Sequence, residues 1–385
     1  MMLVTNWNYP TAMRVGAGRI RELPMLCRQQ GMTAPLLVTD SGLARLPMVA
    51  KLLACCEAQG LKVDLFSGVK SNPTGSNVAA GADAFRQGEH DGVIALGGGS
   101  GLDVGKAIAV VARQACSLWD LEDIGDNWQR ADASKIVPVI AVPTTAGTGS
   151  EVGRASVIVN EDEARKVIIF HPDMMPNMVI LDPELTTGLA PQLTAATGMD
   201  ALSHNLEAYC SPAYHPMAVG IAVEGIRLIK DHLPVVVKQG ENIEARLQML
   251  AASSMGATAF QRGLGAMHAL AHPLGAVYDV HHGLLNAVLM PYVLTANRQA
   301  INEPINRLSQ YLGLTAGFDA FLAWVLALRQ GIGIPHSLQG LLPDADRLDE
   351  IGTMATQDPS AATNPIPFEA KDYAAIVRRA YEGVV

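Results

Sequence analysis

GVIALGGGSGLDVGKAIAVV, residues 92–111, decides the fold. An apolar run from Val93 to Leu96 stops at Gly97, Gly98 and Gly99 and gives way to helical apolar spacing. A short apolar run bounded by glycine reads as a buried strand, and the segment after it as a helix. Backbone amides at such a helix start, aided by the helix dipole, attract phosphate, and glycines let it come close. The turn alone would also explain the glycines, but three in a row at the carboxyl end of a strand favour phosphate binding by Gly97, Gly98 and Gly99. Neither familiar phosphate motif is complete. Leu102 stands where G-x-G-x-x-G carries its third glycine, and Ser100 and Ala107 stand where a Walker A loop needs Gly and Ser or Thr. An ATPase is therefore disfavoured.

Reading outward, similar apolar runs occur at 35–40 (PLLVTD), 63–66 (VDLF), 136–143 (IVPVIAVP) and 178–183 (MVILDP), with helical patterns between them. Strand and helix in alternation predict a parallel sheet with helices on both faces. After residue 183 the pattern becomes helical throughout, as in MAVGIAVEGIRLIKDHL, EARLQMLAASSMGATAF, FDAFLAWVLALRQ and AKDYAAIVRRAYEG. The expectation is an α/β domain over 1–183 and an all-α domain over 184–385, joined at LDPELTTGLAP.

A second loop, VPTTAGTGSEVG (142–153), also follows a strand and offers the hydroxyls of Thr144, Thr145 and Thr148. Strand ends on one edge of a parallel sheet converge, so both loops can line one crevice. Asp40 ends PLLVTD. It can accept from a ribose diol and repel a 2′-phosphate, or it can cap the turn that follows.

Composition bounds the rest. The chain has 385 residues, 49% hydrophobic and 17% charged, with a formal net charge of −9. That balance fits a globular protein and argues against nucleic acid or an anionic membrane as partner. The five cysteines show no CxxC spacing and read as reduced thiols. No signal peptide is evident at MMLVTNWNYP, and the uncharged stretch 283–297 is shorter than a membrane span and contains Pro291. A cytoplasmic protein is expected.

The chemistry lies in the second half. Asp200 and His204 stand four apart in TAATGMDALSHNLEAYC and so share a helix face. His268 and His272 are spaced the same way in GAMHALAHPLGAVYDVHHG, and His281 and His282 follow. Asp200 with His204, His268 and His282 makes an N/O donor set suited to Fe²⁺, Zn²⁺, Co²⁺ or Ni²⁺, and ligand type alone does not choose among them. Each histidine could instead be a satisfied core or surface group. His281 is left without a role.

Taken together, GGGSGLDVGKA, PTTAGTGSEV, LDPELT, TAATGMDALSHNLEAY, HALAHPLGA and HHGLLNAVLMP resemble the iron-containing (group III) alcohol dehydrogenase family. The resemblance implies a dinucleotide-binding α/β domain, a helical domain and a site in the cleft between them. It implies a metal held by Asp200, His204, His268 and His282, most naturally Fe²⁺, with Zn²⁺ as the alternative. It implies NAD, in preference to NADP, held by Asp40, Gly97, Gly98, Gly99, Ser100, Asp103, Thr144, Thr145, Thr148 and Lys166. His272 falls at the family's nicotinamide-proximal histidine and is expected to act in catalysis. The implied activity interconverts a small primary alcohol or diol and its aldehyde, in a homodimer or larger assembly. Polyol dehydrogenase and semialdehyde reductase are the alternatives. Gly153, Arg154 and Ile366 depart from the family pattern near the expected substrate end, and Arg154 could pair with an acidic substrate group.

Overall fold

The computed structural model describes Tyr9, residues 11–163 and residues 165–385. It divides into two compact units, Tyr9–Gly188 and Leu189–Val385.

The first unit holds eight strands among its described residues: β1 (Ala12–Val15), β2 (Leu36–Asp40), β3 (Asp64–Val69), β4 (Val93–Gly97), β5 (Val139–Pro143), β6 (Ala155–Asn160), β7 (Arg165–Phe170) and β8 (Met178–Leu181). Its helices are α1 (Leu23–Gln29), α2 (Pro47–Ala58), α3 (Gly75–Gln87) and α4 (Gly99–Val111). Six strands form one sheet in the order β1-β8-β5-β4-β2-β3, and every pairing is parallel. β4 and β5 are buried along their whole length, which is why they read as unbroken apolar runs. The pairs Leu96↔Val142 and Gly97↔Pro143 bring the two strand ends level. Asp40 ends the neighbour of β4 on its other side. Three loop-bearing carboxyl ends thus stand side by side on one sheet edge.

The missing third glycine of residues 97–102 has a stand-in. A Cβ on Gly101 would lie 2.9 Å from the carbonyl oxygen of Leu96, and one on Gly105 would lie 2.6 Å from the Ala95 Cβ. These two glycines let α4 lie directly on β4.

Three strands escape the sequence reading. β1 is four residues long, partly exposed and contains Arg14. β6 and β7 form an antiparallel hairpin in which buried and half-buried residues alternate, and the sequence reading passes over their short apolar runs, VIV and VIIF. The helical pattern between β2 and β3 forms its α-helix only from Pro47, because proline's fixed φ suits a first helical position, with a short 3₁₀ turn at Leu43–Arg45 before it.

The second unit is helical: α5 (Pro191–Cys210), α6 (Pro216–Lys238), α7 (Ile243–Ala259), α8 (Ala266–Tyr278), α9 (His282–Tyr311), α10 (Phe318–Gly331), α11 (Leu348–Gln357) and α12 (Ala370–Glu382). α6, α7 and α9 pack around α5, which is buried without interruption from Thr194 to Tyr209. A helix buried on every side belongs at a core, and its polar residues there must find partners within it. No helix among the described residues is long and apolar enough to cross a membrane.

Candidate metal centre and cofactor loops

α5 carries Asp200 and His204, α8 carries His268 and His272, and α9 opens with His282. Gly283 explains how α9 reaches α5. A Cβ there would lie 2.6 Å from the carbonyl oxygen of Ala196 and 3.0 Å from the Asp200 Cβ. His281, unassigned from sequence, is the N-cap of α9, its Nδ1 facing the Leu284 amide at 3.4 Å.

One donor atom each from Asp200, His204 and His268 lies within 4.8 Å of the others, and all three residues are buried. The His204 and His268 rings stack 4.6 Å apart. His282 borders the group from a partly exposed position, its Nε2 3.6 Å from Asp200 Oδ1. The structure therefore brings all four expected ligands together in one unit.

The surroundings suit a cation. Glu207, one turn beyond His204 on α5, places Oε2 2.5 Å from His268 Nδ1, and its Oε1 accepts from the Met267 amide at 2.7 Å. A carboxylate at Nδ1 keeps the proton there and turns the Nε2 lone pair to the other donors, as second-shell partners of metal-bound histidines do. Burial works against the His268 imidazolium, but Glu207, with Asp200 and Asp358, outweighs it and the pKa is raised.

His272 stands beside the group, its ring stacked on His282 at 5.2 Å. Its Nδ1 lies 2.7 Å from Asp358 Oδ2. Burial tends to raise the Asp358 pKa, but His272 and Ser360 overcome that and hold it below the usual carboxylate range. Sequence reasoning missed Glu207, Asp358 and Asn286. Glu207 and Asn286 follow ligands at helical spacing, three and four residues on, a signal that was available. Asp358 lies 86 residues from His272, and nothing local marks it.

In the sheet unit, α4 starts at an N-cap, Gly98, that offers no side-chain cap, so among the described residues its first amides receive none from that position. The second loop rests on this turn. A Cβ on Gly98 would lie 3.2 Å from Thr145 Oγ1, and one on Gly99 2.6 Å from Thr148 Cγ2. The Thr144 amide donates to Gly97 O at 2.9 Å. Asp40 Oδ1 accepts from the amides of Gly42 and Leu43, both at 2.8 Å, so the turn-capping role foreseen for it is real. Ser100 Oγ donates to Ser71 O. Asp103 is committed to the second loop and the hairpin: it accepts from Ser150 Oγ and, at 3.0 Å, from the Val157 amide. Lys166 lies on β7 opposite Val159. Lys106, also unforeseen, is 1% exposed and donates from Nζ to Ser150 O at 3.0 Å, Gly153 O at 3.4 Å and Ala155 O.

A parallel sheet whose helix start carries no side-chain cap suits a phosphate-bearing ligand, and a helical unit with a buried Asp–His cluster suits a divalent metal. Comparison with known proteins specifies the family. Residues 10–183 match the model of the iron-containing alcohol dehydrogenases, and residues 194–381 match the model of that family's C-terminal region. A 4-hydroxybutyrate dehydrogenase of Cupriavidus necator is 38% identical over 95% of this chain and 97% of its own. The crystal structure of a 1,3-propanediol oxidoreductase superposes with a TM-score of 0.93 at 35% identity, covering 98% of this chain and 100% of that one. A sulfoacetaldehyde reductase from Bifidobacterium kashiwanohense, solved with NAD⁺, gives 0.89 at 28% identity over 98% and 99% of the two chains. The chain belongs to the iron-containing alcohol dehydrogenase family.

Proposed function

We propose that this enzyme is an NAD-linked, metal-dependent dehydrogenase that interconverts a small primary alcohol or diol and its aldehyde. The convergence of Asp200, His204, His268 and His282 carries the reading. These four would hold Fe²⁺, with Zn²⁺ as the alternative, since one carboxylate and three imidazoles accept either ion. Bound there, the ion supplies Lewis acidity toward the substrate oxygen, and NAD supplies the hydride acceptor. Glu207 fixes the tautomer of His268. Asp358 does the same for His272 and leaves Nε2 of that ring to take up or return the hydroxyl proton. His272→Ala is expected to keep its metal, measured by plasma emission, and to lose about 10²–10⁴-fold in kcat. Loss of the metal instead would make His272 a ligand.

For the cofactor, we assign the pyrophosphate to Gly97–Ser100 and the α4 amides, with Thr144, Thr145, Thr148 and Lys166 alongside. The ribose diol falls to the Asp40 oxygen that does not cap the turn. Asp103 serves by holding the second loop. Asp40→Ala is expected to shrink the NAD-over-NADP preference in kcat/KM by at least about tenfold, ~1.4 kcal/mol of relieved phosphate–carboxylate repulsion. An unchanged ratio would remove Asp40 from cofactor selection.

A specific observation favours substrates with an acidic tail. Among the described residues the Arg154 guanidinium has no hydrogen bond and no carboxylate within ion-pair distance; it lies 5.5 Å over the Phe170 ring, with Asp123 near enough to feel its charge. An uncommitted guanidinium suits a carboxylate or sulfonate. Two of the compared enzymes, by name, act on molecules of that kind. The test is NADH oxidation with a four-carbon semialdehyde and with neutral 3-hydroxypropanal. A kcat/KM ratio favouring the acid, and collapsing in Arg154→Ala, supports an acidic substrate; an unchanged ratio returns the reading to simple alcohols and diols.

We further place the enzyme in the cytoplasm, in keeping with its five free cysteines, and as a homodimer or larger assembly. Exposed Tyr214, Met217 and Tyr311 on the helical unit support self-association, which sedimentation velocity would test.

A further inference from the structure

Asn286 lies on α9 one turn after His282 and is wholly buried. Its Nδ2 reaches atoms of three proposed ligands: 2.9 Å to Asp200 Oδ1, 3.2 Å to His268 Nε2 and 3.1 Å to His282 Nε2. Its Oδ1 is buried and accepts no hydrogen bond among the described residues. This is an unusual use of a core asparagine. Asn297 and Asn364, in the same unit, hydrogen-bond each other through both ends at 3.0 and 2.9 Å. A buried acceptor left unpaired is costly, and natural cores avoid it unless a function requires it.

The amide's orientation follows from its neighbours. A carboxylate oxygen can only accept, so the nitrogen end must face Asp200, and a bond from N–H to a charged carboxylate is the strongest of the three. An –NH₂ group has two hydrogens and cannot serve three acceptors at once. His268 Nε2 presents a lone pair because Glu207 holds the proton at Nδ1.

We propose that Asn286 is a positioning residue of the metal centre. Its Nδ2–H holds Asp200 Oδ1 in place beside the Nε2 atoms of His268 and His282, so it sets metal affinity without being a ligand. The inference rests on the four-ligand reading given above, and one experiment separates the two. Co²⁺ is titrated into metal-stripped wild type, Asn286→Ala and Asn286→Leu against a competing chelator, and the visible d–d spectrum is recorded with circular dichroism as the check on folding. The expected result is about 10–100-fold weaker binding in the variants, the usual cost of removing an outer-shell partner, with displaced Co²⁺ bands. A merely structural role would move neither. Asn286→Leu fills the volume if Asn286→Ala leaves a cavity that unfolds the chain. Wild-type affinity and unchanged bands in either folded variant would overturn the proposal. A wild type that shows no Co²⁺ absorption would remove the metal centre itself, and the role of Asn286 with it.

Discussion

His268→Ala is expected to lose both its metal and at least about 10³ in kcat, from ~4 kcal/mol of lost Lewis-acid stabilisation at ~1.36 kcal/mol per tenfold. His268 is 1% exposed and meets three neighbours in the centre: Glu207 behind it, His204 stacked on it, Asn286 before it. The substitution also strands Glu207 as a buried carboxylate, which costs about 3–5 kcal/mol of stability. The isosteric Asp200→Asn separates the two effects, because it removes a ligand charge and leaves the Glu207–His268 pair intact. Metal content by plasma emission, kcat and the thermal midpoint are measured for both. Full turnover in a metal-depleted variant would refute the assignment. The raised pKa of His268 adds a pH dependence with a definite sign. A proton competes with the metal for Nε2, and with the pKa raised that competition begins at higher pH than at an ordinary imidazole. At fixed free ion, metal occupancy should fall as pH is lowered.

The second large effect is expected at Lys106. Its Nζ joins the carbonyls of Ser150, Gly153 and Ala155 and lies 3.4 Å from Asp103 Oδ1. Burial pushes its pKa below the ordinary lysine range, against the pull of Asp103 and Glu151. The cation thus ties α4, where the phosphate turn begins, to the end of the second loop, whose Thr145 and Thr148 rest on Gly98 and Gly99. Lys106→Met keeps the length and removes every donor. Losing these bonds should cost about 2–4 kcal/mol of stability, at ~1–3 kcal/mol per unsatisfied buried group. The Kd for NAD, by fluorescence titration, and the KM for NAD should rise about tenfold or more, with kcat changed much less. A destabilised variant with unaltered NAD affinity would show that the loop can shift without consequence for the cofactor.

Much of this architecture was legible because its signals are local. Val93–Leu96 and Val139–Val142 are buried on both faces, so the sheet's centre announces itself as apolar runs. Asp200 with His204, and His268 with His272, follow helical spacing and share faces as expected. What stayed hidden depends on contacts distant in the chain. The β6–β7 hairpin owes its place to Ser156 and Val157 meeting Asp103, more than fifty residues earlier. Asp358 becomes a partner of His272 only when the 3₁₀ turn it caps, Pro359–Thr363, packs on α8. Lys106 reads as a surface lysine until the carbonyls that enclose it are known. Asp103 illustrates the converse: its motif was visible, but its hydrogen bonds with Ser150 and Val157 were not.

The most direct test is NADH formation by protein purified without oxygen, stripped of metal and reloaded with Fe²⁺ or Zn²⁺, across short primary alcohols, diols and ω-hydroxy acids. The account predicts no turnover in the stripped enzyme, recovery on reloading, and no recovery in Asp200→Asn. NADH formation at the same rate in stripped and reloaded wild type would contradict it.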